Sequence, residues 1–167
     1  MILAFDTYYF DVKAKTVCLA FDEWTAAESF EVYSEILENI EEYRSGEFYK
    51  RELPCILSLL NQIDLHKVQT IIVDGYVFLD DDGKPGLGYY LYKALNSEIP
   101  VIGVAKSNFA TIDKLKRPVM RGDSKSPLFV TAIGIDLDEA AKNIGQMSGC
   151  FRIPAILKQL DSMTKDK

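Results

Sequence analysis

Histidine is almost absent from this chain: His66 is the one imidazole among 167 residues. Sites built on several imidazoles are therefore excluded, and so are most histidine-led proton relays unless His66 itself lies in a cleft. Set between Asp64 and Lys67, just ahead of an apolar run, His66 reads instead as a loop residue. Cysteine is scarce too. Cys18, Cys55 and Cys150 are odd in number, far apart and without metal-ligand spacing. They are expected as reduced thiols in the core of a cytoplasmic protein. No apolar run reaches the roughly 20 residues that span a bilayer. The opening Met-Ile-Leu-Ala-Phe-Asp has no basic segment before its apolar residues, so it does not read as a secretory signal. Positive charge is in deficit: 19 Lys and Arg against 25 Asp and Glu leave a net charge of −6. That disfavours long stretches of non-specific nucleic-acid contact, which need neutralised phosphates. It leaves room for a carboxylate cluster, whose excess charge is offset only by a bound metal.

What is present suits one soluble domain over residues 1–167, with 48% apolar and 26% charged residues. Ile2 to Phe5 form an apolar run ending at Asp6, and Val17 to Phe21 a second. Both read as buried strands joined by a turn around Lys13 and Lys15. Phe30, Val32 and Tyr33 suggest a third strand, closing an antiparallel meander. Leu53, Ile56, Leu57 and Leu60 fall on one helical face, and Pro54 is tolerable in a first turn, so this helix is expected to start near Arg51 or Glu52. Thr70-Ile-Ile-Val-Asp74-Gly75 has the pattern of a buried parallel strand delivering an acid at its C-terminal end. A helix marked by Leu87, Leu91, Ala94 and Leu95 follows, then strands over 100–104 and 128–135. Asp136 and Glu139 form a capping box for the next helix, and a last helix runs from about Pro154 to Met163. The polar stretch 108–126 reads as a mobile loop that could hide a short strand. The sum is an α/β fold: a mixed sheet, antiparallel meander then parallel strands, with helices on its faces.

Three acids stand out by position. Asp6 and Asp74 close strands and Glu52 lies on the helix between them, so all three converge if the strands are neighbours. Hard cations such as Mg²⁺ take oxygen ligands, usually one or two carboxylates with several waters. A metal held there would polarise a phosphodiester and lower the pKa of an attacking water. Bare acids near element ends are also common as caps and solvated edges.

The motifs around these acids resemble those of a known family. Phe5-Asp6-Thr7-Tyr8-Tyr9 is similar to the first-strand aspartate segment of endonuclease V, the nucleases that cut near deoxyinosine or inosine. Arg51-Glu52-Leu53-Pro54 resembles that family's helix start, and Val73-Asp74-Gly75 its second aspartate strand. Ile102-Gly103-Val104-Ala105-Lys106-Ser107 is similar to its lysine-bearing strand almost letter for letter. The order and spacing match over about Met1 to Leu160. The resemblance implies a ribonuclease H-like fold and Mg²⁺- or Mn²⁺-dependent hydrolysis of a nucleic-acid strand. It puts Asp6, Glu52 and Asp74 in the place of the metal-binding acids and Lys106 in that of the active-site lysine. Gly75 and Ser107 beside them, with Tyr43 and Gly46, are expected on the nucleic-acid side. No membrane partner is implied, and a monomer is favoured.

The departures concern substrate choice. Glu42-Tyr43-Arg44-Ser45-Gly46 keeps the tyrosine and last glycine of the family's wedge and loses both prolines. After Asp74 a histidine-bearing, glycine-rich turn is replaced by Tyr76-Val-Phe-Leu-Asp-Asp-Asp-Gly-Lys-Pro-Gly86, with Asp80 or Asp81 about where that histidine stands. Ile133 or Gly134 takes the place of a late histidine, and the chain opens directly on its first strand without the usual N-terminal helix. Val77 in place of a glycine is expected to crowd a hypoxanthine pocket, and three aspartates to repel a phosphate backbone. Asp80 to Asp82 as a cation site is weighed against plain turn chemistry. The alternative function is a catalytically impaired member that binds nucleic acid or protein.

Overall fold

The first hairpin is longer than its apolar runs suggest, because alternating polar residues continue the pairing past the core. In a computed structural model describing residues 1–29, 31–40, 45 and 47–166, β1 (Ile2–Phe10) pairs antiparallel with β2 (Lys13–Phe21), from Ile2 opposite Phe21 to Phe10 opposite Lys13. The turn is Asp11-Val12, with Asp11 left-handed at φ 52°, a conformation aspartate tolerates. It lies ahead of Lys13 and Lys15, which pair within β2 instead. Asp6 is consequently a mid-strand residue. β3 (Glu31–Leu37) pairs with β2 at the sheet edge and completes the meander.

The remaining elements are α1 (Phe48–Leu60), β4 (Thr70–Asp74), α2 (Leu87–Ala94), β5 (Val101–Ala105), β6 (Arg117–Val119), β7 (Leu128–Ile133), α3 (Leu137–Gly145) and α4 (Ala155–Lys165). The strands form one sheet in the order β3-β2-β1-β4-β5-β7-β6. Only β1, β4 and β5 run parallel; β7 lies antiparallel to β5, and β6 to β7. The expected parallel run stops at β5 because no helix of the described chain lies between β5 and β7 to carry it back across the sheet.

One sheet face packs Leu3, Phe5, Ile71, Val73 and Val101 against α1 and α2; the other packs Ala4, Ile72, Ile102 and Val104 against α3 and α4. Strand alternation sorts these residues. Helix α1 begins three residues before Arg51, leaving Pro54 exposed in its second turn. Tertiary contact offsets the lost backbone bond: Tyr49 of the first turn stacks on Tyr90 of α2, ring centroids 3.8 Å apart. Asp136 caps α3 as its spacing predicts, accepting from the Glu139 amide at 3.0 Å.

Segment 108–126 is anchored rather than loose, with Ile112, Lys116, Val119 and Arg121 buried and β6 inside it. Cys18 and Cys55 are buried as expected, but Cys150 is exposed in the α3–α4 connection. His66 is an exposed residue of a short 3₁₀ turn, its amide capped by Asp64 at 3.1 Å. Among the described residues no helix is long and apolar enough to cross a membrane.

Candidate active site

Register, more than strand ends, gathers the acids. β1 pairs with β4 from Ile2–Thr70 to Phe5–Val73, so Asp6 and Asp74 come next in line on adjacent parallel strands. Asp6 shares the parity of Ala4, and Asp74 that of Ile72. Both therefore face α4. β5 pairs Asp74 with Val104, and two residues on, with the same parity, comes Lys106. Asp6, Asp74 and Lys106 accordingly line one cleft between the sheet and α4.

Helix α4 adds a carboxylate that sequence reading passed over. Asp161 lines the same cleft with Leu157 and Leu160, and the Thr164 hydroxyl donates to Asp6 Oδ2 at 3.4 Å. Leu157, Leu160, Asp161 and Thr164 stand at i, i+3, i+4 and i+7, so an acid within an apolar helical stripe was the available signal. Lys165 pairs with Asp161 at 2.9 Å.

Glu52 approaches from the other face. It is 3% exposed in α1, does not line the cleft, and lies beside the side chain of Thr7, the residue after Asp6, which opposes the rise in its pKa. Burial pushes the Glu52 carboxyl well above the ordinary range, and the charges of Asp74 and Asp6 push the same way. Asp6 is raised to about 6 by burial first and then by Asp74, with the Thr7 backbone hydrogen bond and Lys106 opposing. Asp74 is the one residue of β4 open to solvent. Protein atoms still crowd its carboxylate, so desolvation raises its pKa against the pull of Lys106. Like charges held close in a poorly solvated place resist joint ionisation.

Among the described residues no three His, Cys, Asp or Glu side chains are already drawn together at ligand spacing. The donor set nevertheless fits a hard divalent cation. It is all carboxylate oxygen, its charges are mutually repelling with Lys106 as the cation among the cleft's lining residues, and Mg²⁺ uses one or two carboxylates plus waters rather than a closed cage. The space at Asp6 and Asp74 is about 40 Å³, which suits an ion with little more than a water or two. A nucleotide has to lie outside it.

Beyond Asp74 the chain turns off the sheet at Gly75, whose φ of +116° suits glycine. The turn then folds over β5: Thr131 Oγ1 accepts from the Val77 amide at 2.8 Å. A Cβ on Gly103 would sit 2.5 Å from the Gly75 carbonyl oxygen and 2.7 Å from Thr131 Oγ1. Val77 is fully buried against Gly88 and Gly103. Beside the turn lies a cavity of about 480 Å³ lined by Tyr49, Gly75, Tyr76, Leu79, Lys84 and Phe109 among others. Ser107 is exposed on the far rim, its carbonyl accepting from the Tyr76 hydroxyl at 2.7 Å.

The aspartates of this turn act on backbone amides. Asp80 Oδ1 accepts from the amides of Asp82 and Lys84 at 3.0 and 2.9 Å. Asp81 Oδ1 accepts from Asp113, Lys114 and Leu115, bonds that hold its pKa below the usual carboxylate range. Turn chemistry accounts for Asp80 and Asp81 without a cation, and it ties this loop to segment 108–116. Tyr43 and Gly46, the expected wedge residues, lie outside the described residues.

An aspartate pair on neighbouring parallel strands, a buried glutamate behind them and a lysine two residues beyond the third strand's partner position match the motif order read from the sequence. A family model described as endonuclease V matches residues 1–145. The chain belongs to the endonuclease V family. It is thereby placed among nucleases, and its sheet is the ribonuclease H-like one. A comparison with curated proteins by sequence gives no match. Among solved structures, human ENDOV superposes with a TM-score of 0.73 at 22% identity, over 99% of this chain and 82% of that one. The endonuclease V of Bacillus subtilis gives 0.75 at 19%, over 98% and 78%. Ciona intestinalis endonuclease V, in complex with a 24mer DNA containing an inosine followed by a ribo-adenosine, gives 0.74 at 19%, over 98% and 84%.

Proposed function

We propose that this chain is a divalent-metal-dependent endonuclease that hydrolyses a phosphodiester bond beside inosine in DNA or RNA. The observation that carries the reading is the meeting of Asp6, Asp74, Asp161 and Lys106 in one cleft between the sheet's central strands and α4. The Ciona relative's complex with inosine-containing DNA supports the choice of substrate.

Asp6 and Asp74 would hold Mg²⁺ or Mn²⁺ on the α4 side, with Asp161 near enough to orient its waters and Glu52 adding charge from behind. When bound, such an ion supplies Lewis acidity toward a phosphate oxygen and a more acidic water. The protein's own part is positioning and charge. The Lys106 ammonium, at the cleft's mouth, stabilises negative charge developing on the phosphate oxygens. Burial and like charge raise both Asp6 and Asp74, and a cation held between them would draw both back toward the ionised form. The 480 Å³ cavity beyond Gly75 is large enough for a base turned out of the stack, with Tyr76 and Phe109 as its aromatic walls. Tyr43 and Gly46 remain proposed contacts of the opened strand, and Gly75 and Ser107 of the cavity rim.

The test is cleavage of inosine-containing DNA and RNA with Mg²⁺ and with Mn²⁺, beside Asp74→Ala. Wild-type protein should cut at least one of these. Asp74→Ala should lose roughly three orders of magnitude or more, the several kcal/mol that metal-assisted charge stabilisation is worth. A wild type inert on all of them, yet binding them tightly, would establish the impaired binding module instead.

A further inference from the structure

A second groove opens from the candidate active site on the α4 side. It is lined by Lys106, Ser124, Phe151, Arg152, Lys158 and Asp161, with Cys150, Asp123 and Ile153 completing it. Lys106, Ile153 and Asp161 are common to both, so whatever occupies the groove abuts the proposed scissile position. Phe151 is 68% exposed. An unsupported phenylalanine so open to water is unfavourable by the transfer energy of its ring.

Its backbone is nonetheless fixed from both sides. The buried Arg121 guanidinium donates to the Phe151 carbonyl at 3.2 Å, and to those of Ile144, Gly145, Met147 and Gly149 at 2.9 to 3.2 Å. Arg152 donates to the Lys106 carbonyl, and to that of Pro127 at 2.8 Å. The backbone that carries the ring is thus anchored in the groove that Lys106 also lines. Lys158 sits 5.7 Å from its centroid. Neither Lys106 nor Lys158 makes an ion pair with a described carboxylate, whereas Asp161 is offset by Lys165.

An exposed aromatic ring with Lys158 beside it and Lys106 in the same groove is what a single strand of nucleic acid uses: one surface for a base, cations for its phosphates. Resting on the nuclease reading above, we infer that this groove holds the substrate strand next to the cleaved bond, one base stacked on Phe151 and a neighbouring phosphate at Lys158. The occupant is single-stranded because stacking on Phe151 requires an unpaired base.

The experiment is binding of a fluorescein-labelled single-stranded oligonucleotide about a dozen residues long, followed by anisotropy in EDTA, where cleavage is blocked. Phe151→Ala should weaken binding roughly 5- to 150-fold, the worth of stacking one base, while Phe151→Tyr keeps it. Lys158→Gln should flatten the salt dependence by about 0.7 in the log–log slope, one phosphate's share on a single strand. Circular dichroism and the thermal midpoint of Phe151→Ala check that the fold is intact. Equal binding by wild type and Phe151→Ala overturns the groove, and leaves the nuclease reading standing if cleavage of inosine substrates is seen. Binding that depends on Phe151, in a protein that cuts nothing, supports the groove and overturns the nuclease reading. Loss of a dimer on Phe151→Ala with no change in oligonucleotide affinity assigns the ring to self-association and overturns the inference.

Discussion

Asp6 illustrates how a buried carboxylate costs stability. A carboxyl whose native pKa lies above its unfolded value holds its proton more tightly in the folded protein. Between the ordinary 3.8 and about 6 the native state therefore binds more protons, and stability falls as pH rises through that window. The difference is on the order of 3 kcal/mol for Asp6 alone, and the raised Asp74 and Glu52 act in the same direction. Urea unfolding of metal-free protein should show a midpoint that drops between pH 4 and pH 6.5. Asp6→Asn should remove much of the drop and be the more stable protein at pH 7, while losing cleavage. Lys106 sits at the other end of the trade. Replacing it with alanine should leave folding nearly unchanged, since its side chain is exposed, and lower kcat by about 10²- to 10³-fold, the usual loss for one group aimed at developing charge. A kcat within a few-fold of wild type would remove Lys106 from the chemistry.

Among the elements, the α3–α4 connection depends on one side chain. Arg121 is 5% exposed and satisfies five carbonyls between Ile144 and Phe151. Arg121→Met keeps much of the volume but leaves those acceptors without their donor in a place water reaches poorly, a loss of about 2–4 kcal/mol. Hydrogen exchange should quicken over 146–152 before it does in β1 or β4. Uniform exchange throughout the chain would show that the connection is not separately held. β4 and β5 show why close approach matters as much as patterning: Gly103 is what lets the Gly75–Val77 turn lie across β5 beneath the cavity.

For the molecule as a whole, with a net charge of −6, a cation at the proposed site would enter the stability balance. Binding that favours the folded state raises stability by RT ln(1 + [L]/Kd), about 2.7 kcal/mol at a hundredfold excess over Kd. Mn²⁺ should raise the thermal midpoint at pH 7.5, and EDTA should reverse it. The shift should shrink toward pH 5, where protons compete for Asp6, and vanish in Asp74→Ala. A shift that persists in Asp74→Ala would place the ion elsewhere.

Much of the site was legible because its parts are local. Asp6, Glu52, Asp74 and Lys106 stand in short motifs at strand and helix boundaries, and β-branched runs marked β4 and β5 around them. The mixed sheet with helices on both faces followed from the same periodicities. Sequence alone could not place Asp161, because a single acid in an apolar stripe gains meaning only when α4 is laid against β1. Plain turn chemistry at Asp80 was legible, but sequence could not show that Val77 turns inward, that Asp81 binds the amides of Asp113, Lys114 and Leu115, or that β7 runs antiparallel. Each of these depends on which distant segment supplies the partner atom. The chain's own pattern determined which residues are candidates for the chemistry. Tertiary packing decided which of them share a cleft, since strand register and the seat of α4 are set by contacts between residues far apart in the chain.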